Sequence, residues 1–160
     1  MILGIDPSLR RTGLALIDEN GRWIDWATIE TKPRSCALEA FDQIREEAEF
    51  WFRVWSSPRS VRAEAYSPGA RSHSAAVAMA VSHCAIRATF DQVVWTPAED
   101  GKRRLTGNPN ASKDEMVSAG FPKAPEFTPR GFRSEKLSKL RKEAVCDAYG
   151  IALCGLPAEG

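Results

Sequence analysis

MILGIDPSLRRTGLALIDENGRWIDWATI, residues 1–29, reads as three short strands in succession. Met1 to Ile5 is an apolar run that closes on Asp6-Pro7. Proline has no N–H for the next ladder bond, so the first strand stops there. Thr12 to Ile17 is a second strand. Asp18-Glu19-Asn20-Gly21 is a hairpin turn, because Asn-Gly takes positive φ at little steric cost. Arg22 to Ile29 alternates into a third strand, so the N-terminal part is an antiparallel meander.

The chain beyond it changes period. Pro33 and Ser35 introduce a long helix from Cys36 to Trp55, with Leu38, Phe41, Ile44, Ala48, Trp51, Phe52 and Trp55 at spacings of three and four. Its acidic residues mostly take the other side, so the aromatic stripe is core packing. Ser60 to Ala65 is a fourth strand carrying Glu64. An alanine-rich helix follows from Ser74 to Phe90, and its small residues let a partner helix approach closely. Gln92 to Thr96 is a fifth strand, stopped by Pro97. Residues 98–111 read as a polar loop. Ser112, with Glu115 three residues on, is a capping box opening a short helix. Gly120, Pro122, Pro125 and Pro129 make 120–133 a mobile loop. Ser134 caps a last helix, Glu135 to Cys154, ended by Gly155 and Pro157. This order predicts an α/β fold: one domain over 1–160, built on a five-stranded mixed sheet, three antiparallel strands then two parallel, flanked by helices.

Composition sets outer bounds. Hydrophobic residues make up 43% and charged residues 27% of the 160, which argues against disorder. No apolar stretch approaches the length of a membrane span, and the N-terminus lacks the pattern of a secretory signal. Both point to a cytoplasmic protein with no membrane partner. Cys36, Cys84, Cys146 and Cys154 show no CxxC spacing, and His73 and His83 complete no zinc pattern; buried free thiols are expected. The net charge of +1 predicts no polyanion partner, but residues 101–143 hold eleven basic side chains against five acidic ones. Such a region attracts phosphate whatever the total charge, or simply forms a solvated face.

Three acids stand in unusual settings. Asp6 ends the first strand, Glu64 lies among apolar neighbours in the fourth, and Asp147 sits in the apolar part of the last helix. Taken singly, each can cap a turn, pair with arginine or face solvent. Taken together on neighbouring elements, three carboxylates repel unless cations intervene, and hard divalent ions favour carboxylate oxygen. Two such ions about 4 Å apart activate water and stabilise the leaving oxygen in phosphodiester hydrolysis.

Four motifs in order carry a resemblance: ILGIDPSLRRTGLALI, VRAEAYSP with the helix RSHSAAVAMAVSHCAIRATF, GKRRLTGNPNASKDEM, and EAVCDAYGIALCG. The chain resembles the RuvC family of Holliday-junction resolvases, within the RNase H-like superfamily, over nearly its whole length. The resemblance implies a homodimeric endonuclease, dependent on two Mg²⁺ ions per site with Mn²⁺ as a substitute, that cuts four-way DNA junctions symmetrically. It implies Asp6, Glu64 and Asp147 as metal ligands. The family's fourth ligand stands one turn before the last Asp, where this chain has Ala144. Glu143 lies on nearly the same helix face and is expected to fill the role.

Lys102 and Lys113 match two basic residues of the third motif, and an ammonium there steadies the scissile phosphate; an ordinary surface lysine is the other reading of each. Arg103 and Arg104 are expected on the DNA backbone, as are Arg10 and Arg11 of the first turn unless they are merely solvated. The family places an aromatic just past its second acid, to stack on an unpaired base. Here Tyr66 follows Glu64 by two residues, and strand alternation puts both on one side; a core tyrosine fits as well. The partner interface is expected on the 74–90 helix. The departure at Ala144 keeps a second reading in view, a protein that binds branched DNA without efficient cleavage. The first-strand motif alone also suggests an actin-like phosphotransferase, which needs a second nucleotide-binding half. A short, departing member points to a phage or mobile element.

Overall fold

The computed structural model describes residues 1–66, 72–123 and 137–157. Its strands are β1 (Ile2–Asp6), β2 (Arg11–Ile17), β3 (Trp23–Glu30), β4 (Ser60–Glu64) and β5 (Val94–Thr96), in the sheet order β3-β2-β1-β4-β5. The β1–β2 and β2–β3 pairs are antiparallel, and β1–β4 and β4–β5 are parallel. This is the expected mixed sheet. Gly21 takes φ +77° in the hairpin, and Asp18 accepts from the Asn20 and Arg22 amides to fix the turn.

Period-two alternation sorts the side chains. Leu3 and Ile5 of β1, with Val61 and Ala63 of β4, enter a core beneath α1 (Ala37–Val54) and α2 (His73–Thr89). Ile44, Ala48, Trp51 and Trp55 supply the helical side of that core. The intervening residues Ile2, Gly4 and Asp6, with Arg62 and Glu64, therefore face the other side. There lie α3 (Ala98–Thr106), α4 (Lys113–Gly120) and α5 (Lys139–Leu153).

Helix α5 lies directly against the strands because both surfaces are small. A Cβ on Gly4 would strike the Ala148 carbonyl oxygen and stand 2.7 Å from the Ala152 Cβ; one on Gly13 would strike the Ala144 carbonyl. Farther along, Gly150 meets Gly101 of α3 closely enough that a Cβ would stand 2.7 Å from the Gly101 oxygen. Tyr149 stacks on Trp23 at 4.2 Å and donates to the Gly21 carbonyl at 2.9 Å, which pins the helix to the hairpin. Gly4→Ala should cost about 3 kcal/mol, the upper end for overpacking, because backbone rather than a flexible side chain blocks the new methyl. Equilibrium denaturation checks this, and an unchanged midpoint would refute the contact.

Three expectations need correction. Residues 98–106 form helix α3, not loop. Its end signals are sound: Pro97 before it, Glu99 and Asp100 in its first turn, Arg103 and Arg104 in its last, and Gly107 in the left-handed conformation after it. Only Gly101 is buried, so no apolar stripe announced it. Secondly, Cys36 and Cys84 are exposed and Cys154 half-buried, leaving Cys146 as the buried thiol. Thirdly, α5 is described from Lys139 with Ser138 before it; Ser134, the expected start at Glu135 and most of the 120–133 loop lie outside the described residues. The Ser112–Glu115 capping box is present, with the Ser112 amide donating to Glu115 Oε2 at 2.7 Å.

Candidate active site

The end of β1, the end of β4 and the middle of α5 bring Asp6, Glu64 and Asp147 into one neighbourhood. Asp6 and Glu64 share the sheet face on which α5 rests. Asp147 lies one residue from Ala148, which packs over Gly4. Glu64 and Asp147 line a cleft of about 130 Å³ with Lys102, Lys113, Gly101 and Met116.

The electrostatics of the three acids are linked. Burial pushes Glu64 up to about 7, and the neighbouring Asp6 charge adds to it, while Lys113 and Lys102 oppose the rise. Burial also raises Asp6, opposed by Lys113 and His83. Asp147 is 5% exposed and ion-paired to the Lys113 ammonium. Lys113 thus interacts with all three acids from the first turn of α4, where the helix N-terminus adds positive potential. Among the described residues, no three of His, Cys, Asp and Glu stand close enough to make a ready-formed metal site. The three acids would still suit a hard divalent ion: each offers carboxylate oxygen, and burial leaves Glu64 short of compensating charge. The Lys113 side chain is 54% exposed.

Glu143 lies one turn before Asp147 on α5, partly buried, and its charge reaches Lys139. Ala144 is 6% exposed and packed over Gly13, so the residue at the family's fourth-ligand position belongs to the helix–sheet contact.

The other expected residues divide. Lys102 lines the acid cleft, whereas Arg103 and Arg104 project from a different face of α3. Arg103 pairs with Asp100 at 2.9 Å, and Arg104 donates to the Pro157 carbonyl at 2.6 Å. Arg10 donates to the Lys32 carbonyl at 2.6 Å. Arg11 joins Arg141 on Glu30, which these partners hold down at about 2. Both first-turn guanidiniums are therefore engaged within the fold. Strand β4 ends at Glu64, so alternation no longer directs Tyr66; its ring is 45% exposed and meets the His83 ring edge-on at 5.9 Å.

His83 is the residue that sequence reasoning passed over. Its Nε2 contacts the Glu64 backbone oxygen at 3.0 Å and its Nδ1 the Met79 carbonyl at 2.8 Å. Its ring stacks on Trp95 at 5.3 Å. It ties α2 to the strand end that presents Glu64. No sequence signal marks it, since a lone histidine on an alanine-rich helix has no periodic partner.

The five-stranded mixed sheet, in the order β3-β2-β1-β4-β5 with helices on both faces, is an RNase H-like fold. More narrowly, the chain shares the fold of the RuvC resolvases and resembles them in sequence. It is 28% identical over 159 residues, 96% of each chain, to the crossover junction endodeoxyribonuclease RuvC of Synechococcus sp. (strain WH7803). Its fold matches T. thermophilus RuvC in complex with Holliday junction substrate at a TM-score of 0.72 and 19% identity, over 95% of this chain and 90% of that one. A second Thermus thermophilus RuvC structure matches at 0.63 with the same coverage. No family model matches the chain.

Proposed function

We propose that this chain is a structure-selective DNA endonuclease that cuts four-way junctions by hydrolysing two symmetric phosphodiesters. The observation that carries this is that Asp6, Glu64 and Asp147, from three separate elements, each interact with the Lys113 ammonium. The whole-length likeness to RuvC supports the junction as substrate. Asp6, Glu64 and Asp147 hold divalent cations, Mg²⁺ in the cell, with Glu143 as the fourth ligand. Ions held there would supply activation of water and neutralisation of the leaving oxygen. Lys113 turns from Asp147 to the scissile phosphate, and Lys102 adds positive charge from α3. The half-exposed Tyr66, braced by the His83 ring, offers a stacking face for an unpaired base.

Two symmetric cuts need two active sites, hence a homodimer. Helix α2 supplies the surface: Val77, Ala80 and Cys84 are exposed at spacings of three and four. Val77→Asp should drop the sedimenting mass from twice 17.7 kDa to 17.7 kDa and replace paired cuts by single nicks. A variant still sedimenting at the doubled mass would move the interface elsewhere. Exposed free thiols at Cys36 and Cys84 suit a reducing cytoplasm. Among the described residues, no helix is long and apolar enough to cross a membrane.

A synthetic four-way junction incubated with Mg²⁺, Mn²⁺ or EDTA tests the reading directly. Paired nicks with either metal and none in EDTA are expected. Tight junction binding without nicks under any metal would establish the second reading, a non-cutting junction binder, for which buried Ala144 at the fourth-ligand position is the motive.

A further inference from the structure

We infer that a second cleft, across α3 from the carboxylates, is an anion site in which Arg62, Arg103 and Arg104 hold a backbone phosphate of the DNA. The inference rests on the junction-binding function proposed above.

The two clefts share one helix as their wall. Ala98, Gly101 and Lys102 face the acids, whereas Pro97, Asp100, Arg103 and Arg104 face a cleft of about 570 Å³. Arg62 and Thr96 line it from β4 and β5, and Cys154 and Leu156 from the segment after α5. Among the described residues, three guanidiniums line it with one carboxylate, Asp100, which Arg103 already engages. Each guanidinium has five N–H donors, and the internal contacts use few of them. Arg62 donates from Nη1 to Thr96 Oγ1 at 3.2 Å, and its Nε is buried without a partner among the described residues. A buried donor on a charged group is costly to leave unmade. Burial raises the Cys154 thiol above its ordinary value, so it supplies no negative charge.

Convergent guanidinium forks suit a tetrahedral oxyanion better than a single carboxylate, and phosphate is the oxyanion of DNA. Position points the same way. A helix is about 10 Å across, and one DNA strand advances about 10 Å in three steps of roughly 3.4 Å. A strand cut at the acid cleft and running across α3 would bring another phosphate to its far side.

Junction affinity, measured in EDTA across a salt series, tests this on the full chain. Arg62→Met keeps the apolar stem and removes the charge. It should weaken binding about tenfold and make the slope of log affinity against log salt shallower by about 1. Arg62→Lys should restore the slope. Arg104→Ala, on the surface of α3, should act like Arg62→Met and covers the case in which the latter folds poorly. Inorganic phosphate supplies the second arm, read by thermal midpoint. A stabilisation lost in Arg62→Met, with junction affinity unchanged, would make the cleft a free-phosphate site and overturn the DNA assignment. No change in either arm would overturn the site altogether. A wild-type chain that fails to bind junctions, yet shows the Arg62-dependent phosphate effect, would uphold the cleft as an anion site and sink the junction function instead.

Discussion

Asp147→Asn should lower Mg²⁺-dependent nicking of a four-way junction by at least about 1,000-fold, since a catalytic metal contributes several kcal/mol of transition-state stabilisation. The substitution is nearly isosteric at a site 5% exposed, so folding should survive it. Glu64→Gln should behave alike, as the two residues line one cleft. Junction affinity in EDTA should hold or rise, because a negative charge facing phosphate has been removed. Glu143→Ala should also cripple cleavage while sparing binding. Near-normal nicking by that variant would remove Glu143 from the site and leave three protein ligands. Retained nicking in both Asp147→Asn and Glu64→Gln would end the metal-nuclease reading itself.

Without divalent ions, the protein should lose stability as pH rises from about 5 to 8. The sign follows from Glu64, whose carboxyl is pushed up by burial to about 7 in the fold, against an ordinary value of 4.5. Between those values the native state binds the proton that the unfolded chain has released. The stabilisation is therefore complete below 4.5 and is lost as pH climbs through 7. Its size is on the order of 3 kcal/mol, or about 5–10 °C in Tm for a chain of this length. Asp6 is raised by burial too and works in the same direction. Glu30, held at about 2, has the opposite sign, but its contribution is lost only as pH falls below 4.5, outside this window. Thermal scans in EDTA should show the decline, and Glu64→Gln should flatten it and raise Tm at pH 8. Millimolar Mn²⁺ should stabilise the wild type increasingly with pH, because it binds the ionised carboxylates. A wild-type Tm that is flat across this range and unresponsive to Mn²⁺ would contradict a cation-seeking acid cluster.

Strand order and helix placement were legible because β1 to β4, α1 and α2 each carry a periodic apolar pattern or a strong stop such as Asp6-Pro7. The three acids were legible by context, each a charge inside an apolar element. Helix α3 was not, because it buries little beyond a glycine, and polar helices and polar loops share a composition. Tyr66 illustrates a rule applied one residue pair too far: alternation holds only while the ladder continues, and β4 ends at Glu64.

By itself, then, the order of residues determined the mixed sheet, its flanking helices and the three acidic positions, since periodicity and turn chemistry are local properties. Tertiary structure alone decided that Lys113 pairs with Asp147, that His83 braces the strand end at Glu64, and that α3 separates Lys102 from Arg103 and Arg104. Those contacts join residues 19 to 34 positions apart or depend on which way a helix is rotated. Packing sets them, through glycine and alanine surfaces that let α5 settle onto β1 and β2.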